Sequence, residues 1–303
     1  MDEENPMAMK LTLSLSNETN LQSERRAMDL PDRTDPQYSI VVPAYNERLR
    51  IGDTLRQILE HLQEQRWIAE IVVVDDGSLD ETVDIVRCFA EEHPEVQLVR
   101  NPGNCGKGFA VSNGIMHARG NFVLFTDADL SSPMCEASKL FAALENGADV
   151  AIGSRWLDPS LQLKRQPLKR RVLSRLFNMF LRITLGLSVH DTQCGFKAFT
   201  RRAANMLFPL QQIHRFGFDA EILYLARRAG LKMDEVPVVW RHDDRSTVNL
   251  FRDGIRMGVD VLRVSWYALT GRYSAPSCTS HEAGQSSGPM LTDNKLSTTA
   301  SDD

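Results

Sequence analysis

Long apolar runs are missing from this 303-residue chain. Nowhere do about 18 uncharged apolar residues follow one another, so no segment is expected to cross a bilayer as a helix. Paired cysteines are missing as well: Cys88, Cys105, Cys135, Cys194 and Cys278 form no CxxC, their number is odd, and no signal peptide precedes them. That usage predicts reduced thiols in a cytosolic protein. There is no excess of positive charge either. With a net charge of -5, the chain has no general electrostatic attraction to nucleic acid, and no nucleic-acid partner is expected.

What is present is enough apolar material, 42% of residues, for a substantial core. Residues 1–37 and 274–303 are polar and aperiodic and are expected to be disordered. Between them, over 38–273, short apolar runs alternate with helical periodicity. Ser39-Ile40-Val41-Val42 precedes a helix over about 50–65, with Ile51, Leu55, Ile58, Leu59 and Leu62 on one face. Ile71–Val74 precedes a second helix with Asp80 as its expected N-cap. Val96–Arg100, Phe122–Thr126 and Val150–Ile152 continue the series. Such alternation predicts a single α/β domain, Rossmann-like, with a mainly parallel central sheet and helices on both faces. Ligands of such sheets sit at the carboxyl ends of the strands.

The residues after each run are polar, acidic or glycine-rich: Pro43–Glu47, Asp75–Ser78, Asn104–Gly108, Asp127–Asp129 and Gly153–Arg155. Each alone is ordinary turn chemistry; five on one sheet edge point to a site. If the chain stays extended, Asp127 and Asp129 leave the same face. They are the candidate ligands for Mg²⁺ or Mn²⁺, which combine one or two carboxylates with substrate phosphates. Lys107 and Arg155 can add positive charge around the same phosphates.

Val41–Glu47, Val74–Thr82, the Asn104–Gly108 loop and Asp127-Ala128-Asp129 together resemble the GT-A fold glycosyltransferases of family 2, over about residues 38–273. The resemblance implies that Pro43, Tyr45, Glu47, Val74 and Asp76 surround the nucleoside of a nucleotide-sugar donor, with Asp76 near the base. It also implies that Asp127, Ala128 and Asp129 meet the metal and diphosphate, and that the sugar is transferred with inversion to give a β-linked product. Gly153–Arg155, Asp191–Lys197, His214–Glu221 and Val236–Trp240 further resemble the dolichyl-phosphate β-glucosyltransferases and, less closely, the dolichyl-phosphate mannose synthases. The expected reaction is therefore transfer of glucose from UDP-glucose to a polyprenyl phosphate in a membrane. Mannose transfer from GDP-mannose, another acceptor, and an inactive nucleotide-sugar-binding module are the alternatives. Eukaryotic glucosyl enzymes of this kind usually begin with a spanning helix; here attachment must differ, and a peripheral position at the cytoplasmic face is expected.

Residues 164–187 offer a means of attachment. Leu168, Val172, Leu176, Met179, Phe180, Ile183 and Leu187 recur at helical spacing, and Lys164, Arg165, Lys169, Arg170, Arg171 and Arg175 crowd the first half. This basic amphipathic helix can lie in a bilayer interface, pack on the body, or form a dimer surface. Lys169, Arg170 and, after the Trp240 strand, Arg245 are candidates for the acceptor's phosphate. Asp129, Asp191 and Arg155 are the catalytic candidates. Asp191 can equally be a cap or turn residue or contact sugar hydroxyls or the acceptor; for a hydroxyl acceptor it is the first candidate for a general base. Asp219 and Glu221 are open between structural and catalytic roles, and His214 is expected to be structural.

Overall fold

The computed structural model describes residues 35–164, 168–241 and 250–273. Arg245 and both terminal segments, 1–34 and 274–303, lie outside the described residues, as do the side chains of Lys169 and Arg170.

The strands are β1 (Tyr38–Ala44), β2 (Ala69–Asp75), β3 (Val96–Arg100), β4 (Phe122–Thr126), β5 (Val150–Ser154), β6 (Gln162–Lys164), β7 (Phe196–Thr200), β8 (Met233–Pro237) and β9 (Trp240–Arg241). Seven of them form one sheet in the order β3-β2-β1-β4-β7-β5-β8, and β6 pairs with β9 in a small ribbon. The strands of the large sheet run parallel except β7, which is antiparallel to both neighbours. The βα alternation did not predict that reversal. The long connection after β5 returns to the sheet's carboxyl edge, where Arg155 binds Asp191, so the next strand runs back from that edge.

The helices are α1 (Ile51–Gln65), α2 (Thr82–Glu92), α3 (Lys107–His117), α4 (Ala137–Glu145), α5 (Leu168–Leu185), α6 (Arg201–Leu207), α7 (Phe218–Arg228) and α8 (Leu250–Leu269). They cover both faces. Along β1, Val41 joins a core with α3, α5, α6, α7 and α8, while Ile40 and Val42 join a core with α1 and α4 on the opposite side, as period-two alternation requires. Asp80, the expected N-cap of α2, stands one residue before the observed cap, Glu81, and its carboxylate still takes the Thr82 amide at 3.0 Å. At the far end of α1, Arg66 adopts a left-handed conformation (φ 54°) and its N–H bonds the Gln63 and Leu62 carbonyls, closing the helix.

Candidate active site

The loops after β1 and β2 are tied together at the sheet edge. Asn46 donates its amide to Ser78 Oγ at 2.9 Å, and its side-chain oxygen accepts the Leu79 amide at 2.8 Å. Glu47 donates its amide to Thr82 Oγ1 at 2.8 Å. The Glu47 carboxylate is held by the Arg50 fork at 2.6 and 2.7 Å. Burial raises its pKa, and Asp129 and Asp127 raise it further against the pull of Arg50. Glu47 thus belongs to the same field as the two aspartates. Pro43 is half-buried, Val74 is buried and Tyr45 is exposed at this edge.

Asp76 is turned into the protein. Its carboxylate accepts from Asn101 Nδ2 (2.7 Å) and from the amides of Cys105 (2.9 Å) and Gly106 (2.8 Å). It therefore fixes the loop that leads into Lys107. Gly106 permits that path: its φ is +103°, and a Cβ there would lie 2.5 Å from the His214 carbonyl oxygen. His214 contributes this backbone oxygen, which also accepts the Phe109 amide at 3.1 Å. Its role here is structural.

β4 delivers Asp127, and the chain turns directly afterwards, contrary to the extended path assumed from the sequence. The Leu130 amide reaches the Asp127 carbonyl at 3.1 Å, and Leu130 has a φ of 42°. Ala128 is buried, its carbonyl taken by Thr54 Oγ1 at 2.5 Å. Despite the turn, the two carboxylates feel each other: burial raises the Asp129 pKa, and the Asp127 charge raises it further. Ser131 donates its amide to Asp129 Oδ1 at 2.9 Å.

Lys107, the first residue of α3, places Nζ 2.5 Å from Asp127 Oδ1. Burial works against its charge, but Asp127, Asp219 and Asp129 together raise its pKa. Gly195 backs Asp127 from the other side; any Cβ at that position would collide with the carboxylate. Two hard oxygen donors with mutually repelling charges suit Mg²⁺ or Mn²⁺ and leave the remaining coordination to phosphate oxygens and water. No group of three or more His, Cys, Asp or Glu side chains able to cage a metal occurs among the described residues.

Arg155 and Asp191 meet in a different way from the sequence reading, which sent one to phosphates and considered the other as a base. Arg155 Nε and its terminal nitrogen bind the two Asp191 oxygens at 2.7 Å each, and its amide adds a third bond at 3.0 Å. Asp191 is 0% exposed. Burial alone would raise its pKa, but Arg155 overrides this and lowers it. A carboxylate so held is poorly suited to accept a proton. Arg155 also lies over the rings of Trp156 and Trp240, at 5.9 and 5.5 Å.

Beneath the aspartates lies a buried pair that sequence reasoning missed. Lys197, 1% exposed, sits 2.5 Å from Asp219 Oδ1, donates to the Cys194 carbonyl at 2.5 Å, and faces the Phe125 ring at 5.5 Å. A lysine between apolar residues in Phe196–Thr200 was the available signal. Asp219 thereby gains a structural partner while its charge supports Lys107. Glu221 accepts from the Gln212 and Ile213 amides and from Tyr273 Oη at 2.6 Å, anchoring the loop before α7 and the end of the described chain. Burial pushes the Cys194 thiol up to about 12, so it is not a nucleophile.

The mainly parallel sheet of this α/β domain thus carries two carboxylates and one lysine together at its carboxyl edge. Residues 39–208 match the family model described as glycosyl transferase family 2. The chain belongs to that family of glycosyltransferases. It is 36% identical over 247 residues to a dolichyl-phosphate beta-glucosyltransferase of Trichomonas vaginalis, covering 78% of this chain and 73% of that protein. It is 34% identical to the one from Dictyostelium discoideum (79% and 77% covered) and 35% identical to the one from Saccharomyces cerevisiae (78% and 76%). Among solved structures, the fold is similar to glucosyl-3-phosphoglycerate synthase of Mycobacterium tuberculosis in complex with Mn²⁺, UDP and glucosyl-3-phosphoglycerate. The TM-score is 0.57 at 21% identity, covering 80% of this chain and 82% of that one.

Proposed function

We propose that the protein transfers glucose from UDP-glucose to a dolichyl-type polyprenyl phosphate at the cytoplasmic face of a membrane. The observation that carries this reading is the Asp127/Asp129 pair with Lys107 at the end of β4, in a chain about one-third identical to glucosyltransferases named for that acceptor.

In this reading Asp127 and Asp129 hold Mg²⁺ or Mn²⁺, which when bound supplies positive charge to the leaving diphosphate. Pro43, Tyr45, Glu47 and Val74 line the nucleoside side, and Asp76 acts on it through the loop it holds. Lys107 adds a fixed cation beside the phosphates. An oxygen of the acceptor phosphate attacks the anomeric carbon, the bond from that carbon to the UDP oxygen breaks, and configuration inverts. A phosphate monoester has a second pKa near 6, so at neutral pH the acceptor is largely a dianion and needs no general base. That agrees with an Asp191 committed to Arg155. Arg155 and Asp191 shape the wall beside Asp127, and the basic first half of α5 attracts the acceptor's phosphate.

The same helix supports membrane attachment. Leu181 and Leu185 face the core, whereas Val172, Leu176, Met179, Phe180 and Ile183 are exposed. Five of the seven residues of the apolar stripe read from the sequence are thus exposed, whereas Leu187 is buried and the side chain of Leu168 lies outside the described residues. No helix among the described residues is long and apolar enough to cross a membrane.

The test is a donor panel: UDP-glucose, UDP-galactose and GDP-mannose, each with detergent-dispersed dolichyl phosphate and Mg²⁺ or Mn²⁺, with the extracted lipid analysed by mass. UDP-glucose should give the hexosyl lipid fastest. Preference for GDP-mannose would move the donor, and donor hydrolysis without any lipid product would remove the acceptor.

A further inference from the structure

The turn that carries Lys107 is pressed against a segment more than a hundred residues further along the chain. A Cβ at Gly108, the residue after Lys107, would lie 2.7 Å from Phe218 Cβ, 2.8 Å from the Ile213 oxygen and 2.9 Å from the Arg215 oxygen. Gly106, the residue before it, stands equally close to the His214 oxygen. Hydrogen bonds fix this contact. Gln211 Nε2 donates to the Gly108 and Ile213 carbonyls at 2.9 Å each, and the Phe109 amide donates to the His214 carbonyl. The Phe109 and His214 rings meet edge-on at 5.3 Å. Residues 211–215 are therefore a wall against which the first turn of α3 rests.

That wall takes its shape from one carboxylate, since residues 211–214 are neither helix nor strand. Glu221, buried in the first turn of α7, accepts the Gln212 amide on one oxygen at 3.0 Å and the Ile213 amide on the other at 2.8 Å. Its third donor is the Tyr273 hydroxyl, 2.6 Å from Oε1 and 52 residues away in sequence. Tyr273 follows α8, is buried, and packs its ring against Tyr224 at 6.2 Å and Tyr267 at 6.1 Å. A buried carboxylate is tolerated only where hydrogen bonds satisfy it. The Tyr273 hydroxyl thus helps keep Glu221 in place to hold both amides.

We propose that Tyr273 is a positioning residue for Lys107, acting through Glu221 and residues 211–215 to hold the lysine beside the diphosphate of the donor. The inference rests on the reading of Lys107 as the cation at those phosphates and extends it to the end of the described chain. Lys107 Nζ stands at Asp127, so a turn free to drift would misplace its charge relative to both the carboxylate and the ligand.

The test uses the full chain and Tyr273→Phe, which keeps the ring in the core and removes the hydroxyl alone. Hydrogen exchange of the unliganded proteins reads the wall directly. The amides of Phe109, Gln212 and Ile213 should exchange about threefold faster or more in the variant, while those of β1 and β2 keep wild-type rates. Calorimetry with Mn²⁺ and UDP then reads Lys107. Tyr273→Phe should weaken UDP binding about threefold or more, yet add nothing in a Lys107→Met background, because changes that act through one side chain are not additive. A merely structural tyrosine would weaken binding equally in both backgrounds. That result, unchanged exchange at Phe109, or faster exchange throughout the sheet would overturn the proposal. Glucose transfer separates the two readings. The predicted pattern in a protein that transfers no glucose would leave the Tyr273 link standing and sink the activity; normal transfer with equal losses in both backgrounds would sink the link alone.

Discussion

Arg155 grips both carboxylate oxygens of Asp191 at 2.7 Å, joining the end of β5 to the segment that enters β7. Breaking a buried pair by removing one partner costs about 3–5 kcal/mol. Asp191→Ala should therefore destabilise the protein by that order in urea titrations at neutral pH. Asp191→Asn, which retains hydrogen-bonding capacity, should cost less.

The same pair sets a pH dependence. The folded-state pKa of Asp191 lies below its ordinary 3.8, so the unfolded chain binds the proton more readily. The stabilisation is complete above that ordinary value and is lost as pH falls through the folded value. Stability curves of wild type and Asp191→Asn should run apart at neutral pH and converge below pH 3.8. Curves that stay parallel into strong acid would place the stabilising charge elsewhere.

Asp127→Asn and Asp129→Ala should abolish transfer, by about a hundredfold or more if the bound cation neutralises the leaving diphosphate. Both residues stand at a partly open strand end, and stability should change by no more than about 1 kcal/mol. Calorimetry with Mn²⁺ and UDP should show weakened binding in both variants. Normal turnover by Asp129→Ala, or full wild-type activity in excess chelator, would remove the metal from the account.

Much of this site was legible in the sequence, for reasons of locality. Strand-end loops announce themselves because an apolar run fixes the strand and the next few residues must lie at its end; Asp127, Asp129 and Lys107 were found in that way and stand together. The direction of β7 was not legible, because it depends on a contact between Arg155 and Asp191, 36 residues apart. Each was singled out separately, and nothing local says that each consumes the other. The three bonds of Asp76 to the 101–106 segment were not legible either, because they depend on the fold of a distant loop.

Lys197 and Asp219 lie under Lys107 and supply a separable test of support. Lys197→Met should cost about 3–5 kcal/mol by leaving Asp219 buried and unpaired. Adding Asp219→Leu should recover most of that stability, since a buried pair replaced by apolar side chains is often neutral. Activity should not recover with it, because Lys107 would then lose the Asp219 charge. A double variant that is both stable and fully active would show that the pair serves the fold alone.

The most direct measurement of the central claim is transfer itself: purified wild-type and Asp129→Ala proteins side by side, with UDP-glucose, dolichyl phosphate and Mn²⁺, the extracted lipid being analysed by mass and its anomeric linkage by NMR. The account predicts a β-linked glucosyl phosphate lipid from the wild type and none from the variant. An α-linked product, or equal yields from the two proteins, would contradict it.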